Sequence, residues 1–343
     1  MPNGSDQDRT SPRPPCRSLT GVRVLATGSY VPDAVITNDH LFQRFGFDSE
    51  WIVKRTGIHE RRHALSHQAT SDLAFEAATR CIDRAGIKAS EIDLCLVGTF
   101  TPDFSFPSTA CLLQDRLNLV CPAMDIQAAC AGFMYALITG ASYVAAGLSN
   151  MALVVGADCN SRILNPHDIK TYPLFGDGAG AVLLTKGRPD QGILAYSLGA
   201  DGAGGPMLDR KACGSRNPPT YAALERGDHY MFMDGRAVFR WAVSILCDTI
   251  QDVLNVTKFK PTDIELYIPH QANIRIIHAA CDVLKIPRGK VFSNLDKYGN
   301  TSAGSIPLAL DEAIGQNLLK PGQLAVLSGF GAGLAWGTAL VRW

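Results

Sequence analysis

One feature constrains this chain above all others: it repeats itself. "GVRVLATG" begins at Gly21 and "GILAYSLG" at Gly192, an offset of 192 − 21 = 171. "KASEIDLCLVG" enters a strand at Ile92, and "KPTDIELYIPH" does the same at Ile264, 264 − 92 = 172 residues later. "CAGFMYAL" from Cys130 answers "SAGSIPLAL" from Ser302 at 302 − 130 = 172. Gly156 of "ALVVGAD" matches Gly329 of "AVLSGFG" at 329 − 156 = 173. Four segments that hold nearly one offset describe two copies of one unit, roughly 21–186 and 191–343.

The copies are α/β. "LCLVG", "ALVVG" and "LAVLSG" are apolar without alternation, the pattern of strands buried on both faces. Ala-rich stretches such as "DLAFEAATRCIDRAG" and "AVFRWAVSILCDTIQDVL" predict the helices that cover them, in a layered architecture of two pseudo-symmetric halves. The expected boundaries are a disordered, polar, proline-rich tail over 1–19, a first half over 20–188 and a second over 189–343. The tail has no apolar run and so is not a signal peptide.

Composition excludes several functions. Lys plus Arg equals Asp plus Glu at 32 each, which argues against a nucleic-acid or membrane-surface partner. Ten cysteines without CxxC pairs or metal-like Cys/His spacing read as reduced thiols of a cytoplasmic protein with no metal site. Residues 131–157 carry no charge, but "GLSN" at 147–150 splits them into a buried helix and the strand "MALVVGA" rather than a membrane span.

Where the copies differ, chemistry gathers. On the common offset Cys130 faces Ser302, His270 faces Gly98 (270 − 172), and Asn300 faces Ala128 (300 − 172). Alone, each has a plain explanation: a core cysteine, a cap, a turn. Together they stand at equivalent strand ends, where a pseudo-twofold axis would bring them into one pocket. Cys130 also opens a helix, whose N-terminus favours a thiolate; lowering its pKa by one unit needs about 1.4 kcal/mol. "GFGAGLAWG" at 329–337 lets backbone N–H groups approach a ligand, while "FGDGAG" at 175–180 reads as a structural turn.

Over residues 20–343 the chain resembles the β-ketoacyl-acyl-carrier-protein synthase III family of thiolase-fold condensing enzymes. "DIQAACAGFMYAL", "PHQANIRII", "YGNTSAGSIP" and "GFGAGLAWG" match that family's signatures in order. The resemblance implies a thiolase-like αβαβα fold and a homodimer. It also implies a reaction in which an acyl group passes from coenzyme A to Cys130 and then condenses with decarboxylated malonyl-acyl-carrier protein, initiating fatty acid biosynthesis. No cofactor is implied, the coenzyme A thioester being a substrate. Cys130, His270 and Asn300 would form the catalytic triad, with the backbone N–H groups of Cys130 and Ala332 as oxyanion hole. Trp51, Arg55 and Asn273 would contact coenzyme A, Phe106 would limit the primer to short chains with acetyl first, and Arg240 and Arg275 would dock the acidic carrier protein.

The match departs at three places. Ala332 stands where the family has glycine, Ile169 followed by Lys170 where an arginine would face the adenine, and Asp282 and Val283 where the carrier patch would have lysines. These keep in view a specialised condensing enzyme of polyketide or other secondary metabolism. A non-catalytic scaffold is more remote, and a papain-like cysteine protease lacks its "CGSCW"-type signature here.

Overall fold

The computed structural model describes residues 13–343. Ten strands build its two large sheets: β1 (Arg17–Thr20), β2 (Val22–Tyr30), β3 (Leu94–Gly98), β4 (Ala123–Ile126) and β5 (Met151–Asp158), then β6 (Gly178–Lys186), β7 (Gly192–Ala200), β8 (Leu266–Pro269), β9 (Leu324–Gly331) and β10 (Ala335–Arg342). The first sheet runs β2-β6-β5-β3-β4 and the second β1-β7-β10-β9-β8. In each, an edge pair is parallel and the β5–β6 or β9–β10 pair is antiparallel.

The two sheets match in register. Gly156 pairs with Gly180 in the first and Gly329 with Gly337 in the second. Both sheets carry a bulge at the same place, at Leu25 in β2 and at Leu194 in β7. That equivalence makes the offset of the first strands 194 − 25 = 169, not the 171 read from "GVRVLATG" and "GILAYSLG". Glycines at both strand ends had drawn that pairing two residues out of register.

Five helices complete the layers: α1 (Thr70–Ala85), α2 (Gly132–Ala145), α3 (Gly235–Thr257), α4 (Ile274–Leu284) and α5 (Ser305–Gly315). α1 and the short helix Thr109–Arg116 cover the outer face of the first sheet, α3 and α4 that of the second, and α2 and α5 lie between the sheets. The order is αβαβα. Sequence decides which helix goes where: α2, "GFMYALITGASYVA", is uncharged and apolar around most of its circumference, which suits a helix packed on both sides. α1 carries Arg80, Asp83 and Arg84 on an exposed face and buries Leu73, Ala77 and Cys81. The charge-free run 131–157 divides as expected, α2 ending before Met151 opens β5. Among the described residues no helix is long and apolar enough to cross a membrane.

One expectation fails at the N-terminus. Residues 1–12 of the expected tail lie outside the described residues, but the rest is ordered. The Arg13 guanidinium binds the carboxylates of Asp252 (2.7 Å) and Asp248 (3.0 Å), and β1 pairs with β7. Residues 17–20 are thus an edge strand of the second sheet, and a short "RSLT" segment between a proline-rich stretch and a glycine gave no periodicity to reveal it.

Candidate active site

β4 ends at Ile126, and the chain must turn sharply to start α2. Ala129 takes φ +46°, the left-handed region that alanine seldom enters, and begins a single 3-10 turn, Ala129–Ala131, that leads into the helix. Cys130 sits on this elbow, 6% exposed. From the other half, the end of β9 passes directly against it. A Cβ added to Gly331 would stand 2.6 Å from the Cys130 nitrogen, so only glycine admits this approach.

The second half repeats the elbow with Ser302 at φ +53°, opening the 3-10 turn Ser302–Gly304 before α5. Ala129 therefore corresponds to Ser302, at 302 − 129 = 173. Cys130 then corresponds to Ala303 rather than Ser302, and Asn300 to Gln127 (300 − 173) rather than Ala128. The shared "AG" dipeptide had pulled the alignment one residue off. His270 keeps Gly98 as its counterpart, because Leu94 and Leu266 occupy the same register, 266 − 94 = 172.

Two segments of the second half supply the remaining groups: His270 stands at a strand end as expected, but Asn300 follows the short helix Leu295–Tyr298 rather than a strand. His270 follows β8, and its N–H donates to Ser328 O (2.7 Å). Its ring stands edge-on to Phe330, centroids 5.2 Å apart at 81°, so β9 orders both His270 and Cys130. The His270 Nδ1 is buried without a hydrogen-bond partner, and burial lowers the imidazole pKa to about 3. Asn300 is held by its backbone, its N–H donating to Leu174 O (2.8 Å) and its carbonyl accepting from Gly176 N–H (3.0 Å). The "FGDGAG" segment is thus more than a turn, since it brackets Asn300. The Asn300 Oδ1 accepts from Ser302 N–H (2.8 Å), which leaves Nδ2 as a donor with no acceptor among the described residues.

The thiol itself overturns an expectation. Burial pushes the Cys130 pKa up to about 12; the Ser302 side chain works against the rise, and the charge of Asp158 adds to it. Desolvation outweighs the helix N-terminus, and His270 offers no positive charge to offset it. The resting pair is a neutral thiol and a neutral imidazole.

Several residues of the site gave no clear sequence signal. Asp158 ends β5 fully buried. Its Oδ1 accepts from Thr99 Oγ1 (2.9 Å), Phe100 N–H (3.0 Å), Thr101 N–H (3.1 Å) and Thr101 Oγ1 (2.8 Å), and its Oδ2 from Ala303 N–H (3.0 Å). Asn160 Oδ1 accepts from Ser302 Oγ (2.8 Å). Arg61, fully buried with no carboxylate partner among the described residues, donates to Pro173 O (2.8 Å), Ile36 O (3.0 Å) and Asn38 Oδ1 (2.8 Å), which anchors the loop that holds Asn300; burial lowers its pKa to about 10. The one available cue was a charge closing an otherwise apolar strand, the Asp of "ALVVGAD".

A cavity of about 560 Å³ opens beside Cys130, walled by Phe100, Ile163, Phe175, Leu208 and Met231 and by the Ala332–Leu334 loop. Ala332 lines the same cavity as Cys130. Its methyl adds no strain, because the left-handed turn falls on the next residue, Gly333 at φ +141°. The other carried-over residues lie apart from this cavity. Arg55 stands over the Trp51 ring at 5.9 Å, and Asn273 joins them by donating from Nδ2 to Arg55 O (3.1 Å) while it caps α4. Phe106 is 86% exposed and does not line the cavity. Arg240 and Arg275 are exposed on the packed helices α3 and α4, Arg275 lying 5.5 Å over Phe239. Asp282, further along α4, is tied to Arg288 (2.7 Å).

Comparison with known proteins finds similar chains. Residues 124–202 match the family description 3-Oxoacyl-[acyl-carrier-protein (ACP)] synthase III, and residues 254–343 its C-terminal counterpart. The beta-ketoacyl-[acyl-carrier-protein] synthase III of Rhodopirellula baltica is 53% identical over 95% of this chain and 99% of its own. The crystal structure of 3-oxoacyl-(acyl carrier protein) synthase III from Pseudomonas aeruginosa superposes with a TM-score of 0.86 at 40% identity, covering 95% of this chain and 98% of that one. The priming beta-ketosynthase of the R1128 polyketide pathway gives 0.86 at 32% identity over 96% and 97%.

Proposed function

Because the chain belongs to the β-ketoacyl-[acyl-carrier-protein] synthase III family, we propose that it primes fatty acid synthesis by condensing a short acyl group with a malonyl-carrier thioester. The observation that carries this reading is the pairing of a buried cysteine on a strained elbow with an apolar cavity beside its sulfur. In the first step the Cys130 sulfur attacks the acyl-CoA thioester; its proton leaves, and the coenzyme A sulfur departs and takes up a proton. The N–H groups of Cys130 and Ala332 are assigned to the oxyanion that forms. In the second step malonyl-carrier protein loses CO₂, and the enolate oxygen accepts hydrogen bonds from His270 and from Asn300 Nδ2. The enolate carbon then attacks the acyl carbonyl and releases the Cys130 thiolate, which is reprotonated. An uncharged His270 suits this role, since a donor that keeps its proton stabilises the enolate without quenching it.

We assign Trp51, Arg55 and Asn273 to coenzyme A on the strength of their mutual contacts, and Arg240 and Arg275 to the acidic carrier protein as exposed cations on adjoining helices. No cofactor is needed for either step. Phe104, Phe106 and Val120, exposed by 58%, 86% and 92%, support a homodimer in which Phe106 reaches the partner's acyl site. Free cysteines at all ten positions fit a reducing cytoplasm. The 53% identity to a beta-ketoacyl-[acyl-carrier-protein] synthase III, against 32% to the polyketide enzyme, favours primary metabolism.

Intact-mass spectrometry after incubation with acetyl-, isobutyryl- and octanoyl-CoA tests the reading. One acyl adduct per chain is expected, lost in Cys130→Ala and retained in His270→Ala, which should fail instead in malonyl decarboxylation. No adduct with any thioester, or one that persists without Cys130, would overturn the assignment.

A further inference from the structure

The two catalytic elbows come from different halves, and something must hold them in register. Asp158, at the end of β5 in the first half, reaches the elbow of the second. Its Oδ1 gathers four donors from the loop after β3, and its Oδ2 takes the N–H of Ala303, next to Ser302, whose N–H in turn holds the Asn300 side chain. Beside it Gly156 lies against the Ala303 carbonyl, with no room there for a Cβ. We propose that Asp158 is a positioning residue that ties the loop after β3, whose Phe100 walls the cavity beside Cys130, to the Asn300 elbow of the other half, through one carboxylate shared between the halves. This rests on the reading of Cys130 as acyl acceptor and Asn300 as enolate donor.

An aspartate is a costly tie. A buried carboxylate without a cation is unfavourable unless every lone pair is used, and five donors here nearly meet that condition. A serine or asparagine could not accept as many. The charge has a second consequence. The titratable groups that feel it are Cys130 on the elbow and Cys159, the residue that follows it; His270, from the end of β8, is neutral, and no cation pairs with Asp158 among the described residues. Asp158 therefore adds to the burial that opposes ionisation of the resting Cys130. Asp158 touches no substrate in this scheme, since it acts through Ala303 and through its field.

The experiment compares wild type with Asp158→Asn by three readouts: the pH profile of Cys130 alkylation by iodoacetamide, single-turnover acylation by acetyl-CoA, and condensation with malonyl-carrier protein. The variant should alkylate at lower pH and keep its acylation. Condensation should fall by on the order of 10- to 100-fold, because the Asn300 elbow drifts. A merely structural role would lower acylation and condensation together and leave the alkylation profile in place, and that result would overturn the proposal. If Asp158→Asn does not fold, Asp158→Glu carries the test. With charge kept and the carboxylate displaced by a methylene, the profile should stay at the wild-type position while condensation falls; a moved profile, or condensation unchanged, would reject the idea. Absence of acylation in wild type would instead defeat the underlying reading of Cys130.

Discussion

With the Cys130 thiol pushed up to about 12 and the His270 imidazole down to about 3, both chiefly by burial, neither group carries charge near neutral pH in the empty site. Burial thereby disfavours an activated thiolate of the cysteine-protease kind in the resting protein, so that ionisation accompanies attack. Alkylation of Cys130 by iodoacetamide should accordingly climb by about tenfold per pH unit through neutrality, with no plateau below about pH 9. A plateau near pH 7 would show a thiolate that burial does not permit. Stability carries opposite signatures from the two buried acids. His270 falls from 6.5 unfolded to about 3 folded, so the unfolded chain takes up its proton first and the protein loses stability as pH drops below 6.5. Asp158 rises from 3.8 to about 6, chiefly through burial; its stabilising share is complete below 3.8 and is lost as pH rises through 6. Asp158 thus offsets part of the acid cost of His270. The Tm gap between wild type and Asp158→Asn should widen as pH falls from 6 toward 4, as read by calorimetry; a constant gap would contradict the raised carboxyl.

The element that organises the site is the strand–elbow–helix unit, and its most exacting contact is with a strand of the other half. Gly331 of β9 touches the Cys130 backbone, which is fixed on both sides by β4 and α2. Gly331→Ala should therefore cost about 1–3 kcal/mol of stability by overpacking. It should also slow acylation disproportionately, because the nucleophile must yield; thermal melts and single-turnover labelling measure the two. Normal acylation in Gly331→Ala would mean the elbow is looser than this contact implies. Elements of this kind mark the limit of what could be read beforehand. The buried strands and the central helices were legible because apolar runs such as "ALVVGAD" and "CAGFMYAL" leave no other packing. Cys130, His270 and Asn300 were singled out by motif order alone. The elbows were not, since nothing in an alanine or serine announces a positive φ, and so the pairing of Cys130 with Ser302 slipped by one residue. The bulges at Leu25 and Leu194 were equally silent, because each inserts a residue without disturbing an apolar pattern. Asp158 was quoted as the end of a strand, but its role depends on Ala303, a residue distant in sequence and visible only after folding.

At the scale of the molecule, the halves are copies in sequence but not independent bodies. Phe133 and Leu137 of α2 and Ile306 and Leu310 of α5 belong to one cluster with Val154 and Val182 of the first sheet and Ile268 and Leu327 of the second. Each half supplies one central helix, and each central helix is covered by both sheets. Cutting the chain between 188 and 189 would therefore leave either fragment with one face of its sheet and one side of its helix in water. Several fully buried side chains would be exposed at once, each worth about 1.5–3 kcal/mol on transfer, against a net stability of only about 5–15 kcal/mol. The N-terminal strand adds a second tie, since β1 precedes the first half and completes the sheet of the other. Residues 13–188 and 189–343 expressed separately should each lack a cooperative thermal transition and near-ultraviolet dichroism. Co-expression should restore both, together with acyl-CoA labelling of Cys130, because only the assembled pair brings Gly331 and Ala303 to the first elbow. A first-half fragment that melted cooperatively alone would break the single-core account and leave the active site as a late docking of two finished domains.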